Sequence, residues 1–188
     1  MHLDKGQMWI GTTTDGAYRL QLDKNELTHP ILKGNITSIY QDSEGELWIG
    51  SWEEGLHHVK TDGTIEIFEY DAKNPYSISS NFVRACCEDN LGNIWIGTFN
   101  GLNRYDKSTG LFQNHTASDA QSDGLTHSSI WCIVKDNQGT LWLGTYFGGV
   151  NYFNPEYEIY SRYMYSPIEK KGLSNPVVGR TIEDKDEI

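Results

Sequence analysis

The chain has 188 residues and a formal net charge of −11. This length is sufficient for one domain with its own core, and the acidic balance argues against binding to nucleic acid or to an anionic membrane surface, both of which need basic patches. No apolar stretch approaches the length of about 18 residues that a membrane span needs, and no secretory leader is recognisable after Met1. The 11 Tyr, 6 Trp and 19 Gly are typical of a many-stranded β protein with tight turns.

One short phrase occurs four times along the chain. The copies are Trp9-Ile10-Gly11-Thr12, Trp48-Ile49-Gly50-Ser51, Trp95-Ile96-Gly97-Thr98 and Trp142-Leu143-Gly144-Thr145. Successive tryptophans lie 39, 47 and 47 residues apart. An aspartate and a glycine precede each copy, and a second glycine follows it and opens another apolar-polar run. Self-similarity at such a period indicates stacked blades or solenoid units.

The third copy shows what one repeat builds. It predicts strands over residues 81–88, 94–98, 102–106 and 111–115, separated by turns rich in Asp, Asn and Gly. Four short antiparallel strands in a repeat of this length are the blade of a β-propeller. We therefore predict an all-β propeller segment of about four blades over residues 1–188, with the repeated tryptophans buried between blades. Helical periodicity is weak and confined to residues 169–171.

Both ends of the array are predicted to be incomplete. The chain enters the first blade around Met8, which leaves that blade three strands, and residues 176–184 repeat a first strand. This pattern indicates a piece of a longer array, whose open edges another copy of the chain or the rest of a parent receptor would cover. A closed ring of four blades, completed by residues 177–183, is the alternative.

The phrase D-x-x-G-x-[LI]-W-[IL]-G-T, followed by G-[LV]-x-x-[YF], resembles the two-component regulator propeller repeat. Residues 141–155 look like the sensor ectodomains of hybrid two-component systems in gut Bacteroidetes. The resemblance implies a periplasmic location and a parent with two propellers, an immunoglobulin-like connector, a membrane span, a histidine kinase and a DNA-binding output. It also implies glycan fragments as signals. Those other modules are not found in this sequence, and the first copy departs from the pattern by its shortened turn, Asp4-Lys5-Gly6.

The first strands differ in some columns and agree in others. Aligned on their terminal aspartate, they share a β-branched column that we assign to the core: Ile36, Val83, Ile130 and Val178. The next column holds Thr37, Arg84, Trp131 and Gly179, and the one after it holds Ser38, Ala85, Cys132 and Arg180. First strands line the channel of a propeller, so the variable columns are expected to face that channel.

The loop after each phrase varies as well, with Thr13, Trp52, Phe99 and Tyr146 in one column and Phe147 beside the last. These loops are expected at the same mouth as the starts of the first strands. We predict a ligand site with Trp52, Phe99, Tyr146 and Phe147 at the mouth and Arg84, Trp131 and Arg180 deeper in the channel. Aromatic faces suit stacking on a sugar ring, and an arginine suits hydroxyls or a carboxylate. Packing of the aromatic side chains between blades is the alternative.

We predict no catalytic residue, no metal site and no cofactor. The Asp-Gly turns supply only one or two carboxylates each, which favours hairpins over calcium loops. His57 and His58 are neighbours on a strand and point to opposite faces, which predicts a solvated or interface role. The three cysteines are interpreted as buried small residues, with a disulfide or a reactive thiol as the alternative.

Three functions compete for this sequence. The leading hypothesis is a non-catalytic propeller that recognises an oligosaccharide for a sensor. The first alternative is a propeller that binds only a partner protein. The second is an enzyme, because the turn is similar to the Asp-box hairpin of sialidases and to the repeats of streptogramin lyases. A sialidase needs an arginine cluster and a lyase needs a base at the channel, and no histidine falls in the first-strand columns.

Overall fold

The structure is a computed structural model, and it describes residues 2–4, 6–28, 30–117, 124–156, 159–166 and 172–181. These residues form an all-β protein of four sheets, each of four strands, as the repeat predicts. The strands are β1 (His2–Asp4), β2 (Gln7–Gly11), β3 (Ala17–Gln21), β4 (Glu26–Leu27), β5 (Ile36–Gln41), β6 (Leu47–Ser51), β7 (Leu56–Val59), β8 (Ile65–Phe68), β9 (Val83–Glu88), β10 (Ile94–Thr98), β11 (Gly101–Asp106), β12 (Leu111–His115), β13 (Ile130–Lys135), β14 (Leu141–Thr145), β15 (Val150–Asn154) and β16 (Ile159–Tyr163).

Each sheet is an antiparallel meander in which every strand pairs with its neighbour in the sequence. We number the sheets as blades: β1–β4 form blade 1, β5–β8 blade 2, β9–β12 blade 3 and β13–β16 blade 4. The four strands predicted for the third repeat are those of blade 3, with boundaries that differ by two residues or fewer.

Blade 1 corrects one expectation from the sequence. β1 pairs with β2, with His2 opposite Trp9, so this blade has four strands rather than three. A strand of three residues next to a shortened turn is too short to show an alternating pattern. Strand β1 already occupies the place in blade 1 that ring closure by residues 177–183 would need.

In blades 2, 3 and 4, the aspartate before the phrase closes a hairpin and holds the repeat tryptophan. Asp42 Oδ1 accepts hydrogen bonds from the backbone N–H groups of Glu44 and Glu46 at 3.0 and 2.9 Å. Its Oδ2 accepts a bond from the indole N–H of Trp48 at 2.9 Å. The same indole bond joins Asp89 to Trp95 and Asp136 to Trp142, at 2.8 Å in both. The repeated phrase is therefore a structural unit of blades 2, 3 and 4.

The tryptophans pack against the next blade along the chain. Trp48 contacts Tyr105 of blade 3, with ring centroids 5.2 Å apart, and Trp95 contacts Phe153 of blade 4 at 5.0 Å. Trp9, Trp48 and Trp95 are buried as predicted. Trp142 differs, because it is only half-buried and no blade follows blade 4 within the described residues.

The glycine of each phrase allows the next first strand to approach closely. A Cβ atom on Gly50 would lie 2.7 Å from Val83 Cγ1, and one on Gly97 would lie 2.7 Å from Ile130 Cγ2. Both distances are far below an ordinary carbon–carbon contact of about 3.5–4.0 Å. The uniform β-branched column of the first strands thus packs on the glycines of the preceding blade.

Residues 176–181 run beside blade 4 without forming an assigned strand. The Val178 N–H donates to the Thr145 carbonyl at 3.0 Å, as the Ile36 N–H donates to the Thr12 carbonyl at 2.8 Å. Val178 also lies against Gly144, as its counterparts lie against theirs. That residues 176–184 begin a further repeat stays a prediction, since residues 182–184 lie outside the described residues. The weak helical pattern at 169–171 also falls outside them.

Candidate functional site

A cavity of about 790 Å³ opens beside the first strands. Its walls come from β5, β9 and β13, from Thr13 and Asn35 in loops of the first two repeats, from Trp52 and from residues 179–181. This volume falls within the range of about 300–1,000 Å³ that is typical of small-ligand sites. Hydroxyl and amide groups share the lining with aromatic rings, so the cavity offers both hydrogen bonds and flat apolar surface.

A β-bulge in each of these first strands directs one side chain to the cavity. Ile36 lies opposite Ser51 and Ser38 opposite Gly50, so Thr37 has no partner in the ladder. The residues without a partner in the next two blades are Arg84 and Trp131. A bulge bends its strand and changes the direction of a side chain, and all three of these residues line the cavity. The first variable column of the aligned first strands, which holds Thr37, Arg84 and Trp131, is therefore the bulge position.

Aromatic rings and one cation form a row across blades 2, 3 and 4. The Arg84 Cζ atom lies 4.9 Å from the ring centroid of Trp52 and 4.2 Å from that of Trp131. Tyr146 stacks on Trp131 with centroids 5.4 Å apart and planes 10° from parallel. Phe82 meets Trp52 edge to face at 5.5 Å. Cation–π contacts of this kind contribute about 0.5–2 kcal/mol each.

The cavity has a positive lining in an acidic chain. Arg84 and Arg180 line it, and no Asp or Glu among the described residues does. Burial lowers the pKa of Arg84 below its ordinary value, and an interaction with Tyr146 offsets only part of this effect. Arginine nevertheless remains charged at any pH at which the protein is folded. The Nε atom of Arg84 and the Nε1 atom of Trp131 are both buried without a hydrogen-bond acceptor.

The structure brings together four of the seven predicted site residues. Trp52, Arg84, Trp131 and Arg180 line the cavity. The other three stand around it: Tyr146 contacts Trp131, Phe147 contacts Tyr146 at 4.3 Å, and Phe99 contacts Phe82 at 6.1 Å. Their part in ligand binding stays a prediction.

The loop aromatics are partly exposed. Trp52 and Tyr146 are 38% and 37% exposed, and Phe99 and Phe147 are 54% and 56% exposed, whereas Trp48 is completely buried. Trp52 also contacts Phe82 and Arg84 of the next blade, so its ring both packs between blades and faces the cavity.

Sequence reasoning missed two supporting residues. The Asn35 carbonyl accepts a hydrogen bond from the Trp52 N–H, and the Phe82 carbonyl accepts one from the Phe99 N–H, both at 3.0 Å. Phe82 also supports the Trp52 ring. Both residues stand directly before the β-branched column, so the same alignment of first strands could have found them.

The neighbouring histidines are buried, so of the predicted solvated or interface role the solvated part is wrong, whereas His58 stacks on a tryptophan that contacts the next blade. His57 and His58 are 2% and 5% exposed. His58 stacks on Trp48 at a centroid distance of 3.9 Å, and its Nε2 atom lies 2.6 Å from Glu46 Oε2. Burial lowers the pKa of His57, which favours its neutral form. The pair stabilises blade 2 and lies away from the cavity lining.

The cysteines are free thiols. Burial raises the pKa of Cys86 to about 12 and that of Cys87 to about 11. Both are small buried residues, as predicted, and their thiolate forms are disfavoured. Cys132 is half-buried in the cavity wall.

Three carboxylates of one turn lie close together. Oxygen atoms of Asp42, Glu44 and Glu46 come within 4.8 Å of one another. The Lys107 Nζ atom lies 3.0 Å from Asp42 and 2.8 Å from Glu44, and so joins blade 3 to blade 2. Burial raises the pKa of Asp42, but the hydrogen bonds from Trp48 and Lys107 outweigh it and leave that pKa below the ordinary value of 3.8. The turn is thus a structural contact between blades.

Four antiparallel sheets that pack through a repeated tryptophan, with a cavity beside their first strands, define a β-propeller architecture. The family model described as two component regulator propeller matches residues 30–53, 77–100 and 124–147. Three segments of the chain thus match the repeat that the motif predicts.

Solved structures share the fold. The extracellular domain of the putative hybrid two component system BT4673 from B. thetaiotaomicron is 23% identical, with a TM-score of 0.77, over 97% of this chain and 24% of that one. The equivalent domain of BT3049 from the same organism is 23% identical, with a TM-score of 0.75, over 95% and 23%. The chain thus spans about a quarter of these ectodomains.

A virginiamycin B lyase from Staphylococcus aureus is a weaker match. It is 15% identical, with a TM-score of 0.67, over 92% of this chain and 56% of the lyase. A comparison with curated proteins gives no match. Within the described residues, no helix has the length and apolar character to cross a membrane.

Proposed function

We propose that this chain is a sensory ligand-recognition propeller and forms part of the extracytoplasmic, periplasmic region of a two-component sensor. The sensor detects glycan fragments and signals to a histidine kinase and a transcriptional output. Three regulator repeats and the likeness to extracellular domains of hybrid systems support the sensory part of this proposal. The cavity supports the recognition part.

One observation carries the choice of ligand. Trp52 from the preceding blade and Trp131 from the following blade both lie against Arg84, and both line the cavity. A sugar ring has an apolar C–H face and a rim of hydroxyl groups, so a binding site for it combines aromatic rings with hydrogen-bonding groups. The side chains of Asn35, Thr13 and Thr181 supply such groups in the same wall.

The cavity is suited to binding rather than to chemistry. In the part of the chain that the structure describes, its lining contains neither a histidine nor a carboxylate that could act as a general base. Signalling then depends on binding energy alone. A ligand shifts a receptor only by binding one arrangement of its domains more tightly than another.

Calorimetry or a glycan array with plant and host oligosaccharides tests the proposal. Trp52→Ala should weaken binding by tenfold or more, because the ring lines the cavity. Tyr76→Ala is the control, since Tyr76 is also an exposed aromatic residue but lies outside the lining and outside the predicted site. Its affinity should stay within about twofold of the parent chain, by the arithmetic of a lost contact worth under about 0.5 kcal/mol.

Stability separates binding from packing. Trp52 is partly exposed, so Trp52→Ala should lower the free energy of unfolding by less than about 1.5 kcal/mol. A loss of several kcal/mol, as for a buried aromatic, or unchanged binding by the variant would contradict the assignment of the cavity as the ligand site.

The exposed aromatic face of blade 4 is the second candidate for an interaction surface. Trp142 stacks with Tyr152 and Tyr163 of its own blade, at centroid distances of 4.7 and 6.5 Å. The equivalent stack on blade 2 is covered by Tyr105 of blade 3, whereas Tyr163 is 51% exposed. The occupant we propose for this face is a further blade of the parent receptor, because a blade covers the equivalent stack.

In the isolated chain a second copy can take that place. Light scattering should then show a concentration-dependent dimer that Trp142→Ser weakens. A monomer at every concentration, unchanged by Trp142→Ser, would remove the support for this candidate.

A further inference from the structure

We infer that the cavity takes an acidic saccharide, with an anionic group held by Arg84 and Arg180. This inference rests on the proposed function and names its ligand class. The anion is a sugar carboxylate or a sulfate ester, since both present oxygen atoms that match the planar donor fork of arginine.

Arg84 lacks the carboxylate partner that Lys60 and Lys107 have. Lys107 lies 3.0 Å from Asp42, and Lys60 lies 2.6 Å from Glu66. Among the described residues no carboxylate makes a salt bridge with Arg84, and none accepts a hydrogen bond from it. Partial burial of a cation without a counter-ion costs free energy. An anion bound beside Arg84 would offset that cost.

The aromatic contacts of Arg84 leave its hydrogen bonds unused. Trp52 and Trp131 interact with the guanidinium through their ring faces. The guanidinium carries five N–H donors in one plane, and its buried Nε atom has no hydrogen-bond acceptor. The bulge in β9 and the two rings thus hold the side chain at the cavity without supplying an acceptor to Nε. A positioned donor fork of this kind is what a bidentate anion needs.

Arg180 supplies a second positive charge in the same wall. It stands on the segment that runs beside blade 4, whereas Arg84 belongs to blade 3. The net charge of the chain is −11, yet acidic side chains are absent from the described lining. A purely structural arginine between two tryptophans needs neither the second arginine nor the exclusion of carboxylates.

The test measures the affinity of the full chain for paired oligosaccharides by calorimetry. One set contains uronic acids, as oligogalacturonides and hyaluronan fragments, and the other contains sulfated galactan fragments. Each probe is compared with its neutral counterpart, made by carboxyl reduction or by desulfation. The two sets distinguish a carboxylate from a sulfate as the recognised group.

Acidic probes from at least one set should bind tenfold or more tightly than their neutral counterparts. Arg84→Gln should remove most of that difference. Arg162→Gln is the matched control, because it makes the same change in net charge at an exposed residue of strand β16, outside the cavity lining. It should have no effect on binding.

The outcomes separate this inference from the proposed function. Equal binding of acidic and neutral probes, or a preference for neutral ones, overturns the inference and leaves a saccharide-binding propeller. No binding of any probe overturns both. If circular dichroism shows that Arg84→Gln does not fold, Arg180→Gln decides the matter, since Arg180 is exposed; an unchanged preference for acidic probes in that variant contradicts the role of the second arginine.

Discussion

Replacement of Trp48 by Phe should destabilise the protein far more than the same replacement of Trp142. Trp48 is completely buried, and its indole N–H donates to the Asp42 carboxylate at 2.9 Å. Asp42 is itself only 6% exposed, so water cannot easily replace the lost donor. Trp142 makes the equivalent bond to Asp136 at 2.8 Å, but both of these residues are half-buried.

The expected magnitudes follow from these environments. Asp42 Oδ2 still accepts a hydrogen bond from Lys107 Nζ at 3.0 Å, but loss of one hydrogen bond to a buried charged acceptor costs about 1–3 kcal/mol. The smaller ring also leaves a cavity between blades 2 and 3 that adds about 1 kcal/mol. Trp48→Phe should therefore lower the free energy of unfolding by about 2–4 kcal/mol. For Trp142→Phe, water can reach the carboxylate, and we expect a loss of about 1 kcal/mol or less.

Urea unfolding followed by far-ultraviolet circular dichroism measures both losses without relying on tryptophan fluorescence. The two variants make the same chemical change at equivalent positions of two repeats, so each is the control for the other. Equal losses, or a larger loss at Trp142, would refute the reasoning. Such a result would mean that the exposed face of blade 4 is covered in solution.

Other predictions concern close packing, acid stability and thiol reactivity. Gly97→Ala should cost about 1–3 kcal/mol, because its Cβ would lie 2.7 Å from Ile130 Cγ2, whereas Gly179→Ala, with nothing within 4 Å, should be nearly neutral in the same urea assay. The pKa of Asp42 is lower in the folded chain than its ordinary value of 3.8. The ionised Asp42 therefore contributes its full stabilisation above that value, and this stabilisation is lost as the pH falls through the lowered pKa. In Asp42→Asn, the melting temperature should fall less than in the parent chain as the pH is lowered from 5. The Cys86 thiol, whose pKa burial raises to about 12, should resist alkylation at pH 8 in the native chain and react after unfolding, as mass spectrometry can show.

The fold could be predicted because one phrase encodes several local contacts at once. The Asp and Gly of the turn, the Trp that bonds the Asp, and the Gly under the next strand all recur at fixed offsets. Strand β1 could not be predicted, since three residues carry no periodic pattern. The half-burial of Trp142 depends on what covers blade 4, and the sequence of one repeat does not contain that information.

The alignment of the repeats predicted which positions belong to the candidate site, but not how their side chains are arranged in space. Sequence alignment identified Arg84 and Trp131 as variable positions, yet the bulge that directs them to the cavity leaves no mark in an ungapped alignment. Trp52 and Phe99 share a column, and only the fold shows that Trp52 lines the cavity while Phe99 does not. The acidic side chains are spread along the whole chain, so their absence from the described lining became visible only after folding.

At the repeated bulge, a residue lines the cavity without also pairing with a residue of the neighbouring strand. Thr37, Arg84 and Trp131 take no part in cross-strand pairing, so exchanging one of them leaves the ladder in place. Each of these blades thus carries one position at which selectivity can change without loss of a ladder hydrogen bond. Divergence of such a receptor toward new ligands can then proceed by single substitutions, one blade at a time, on an unaltered framework.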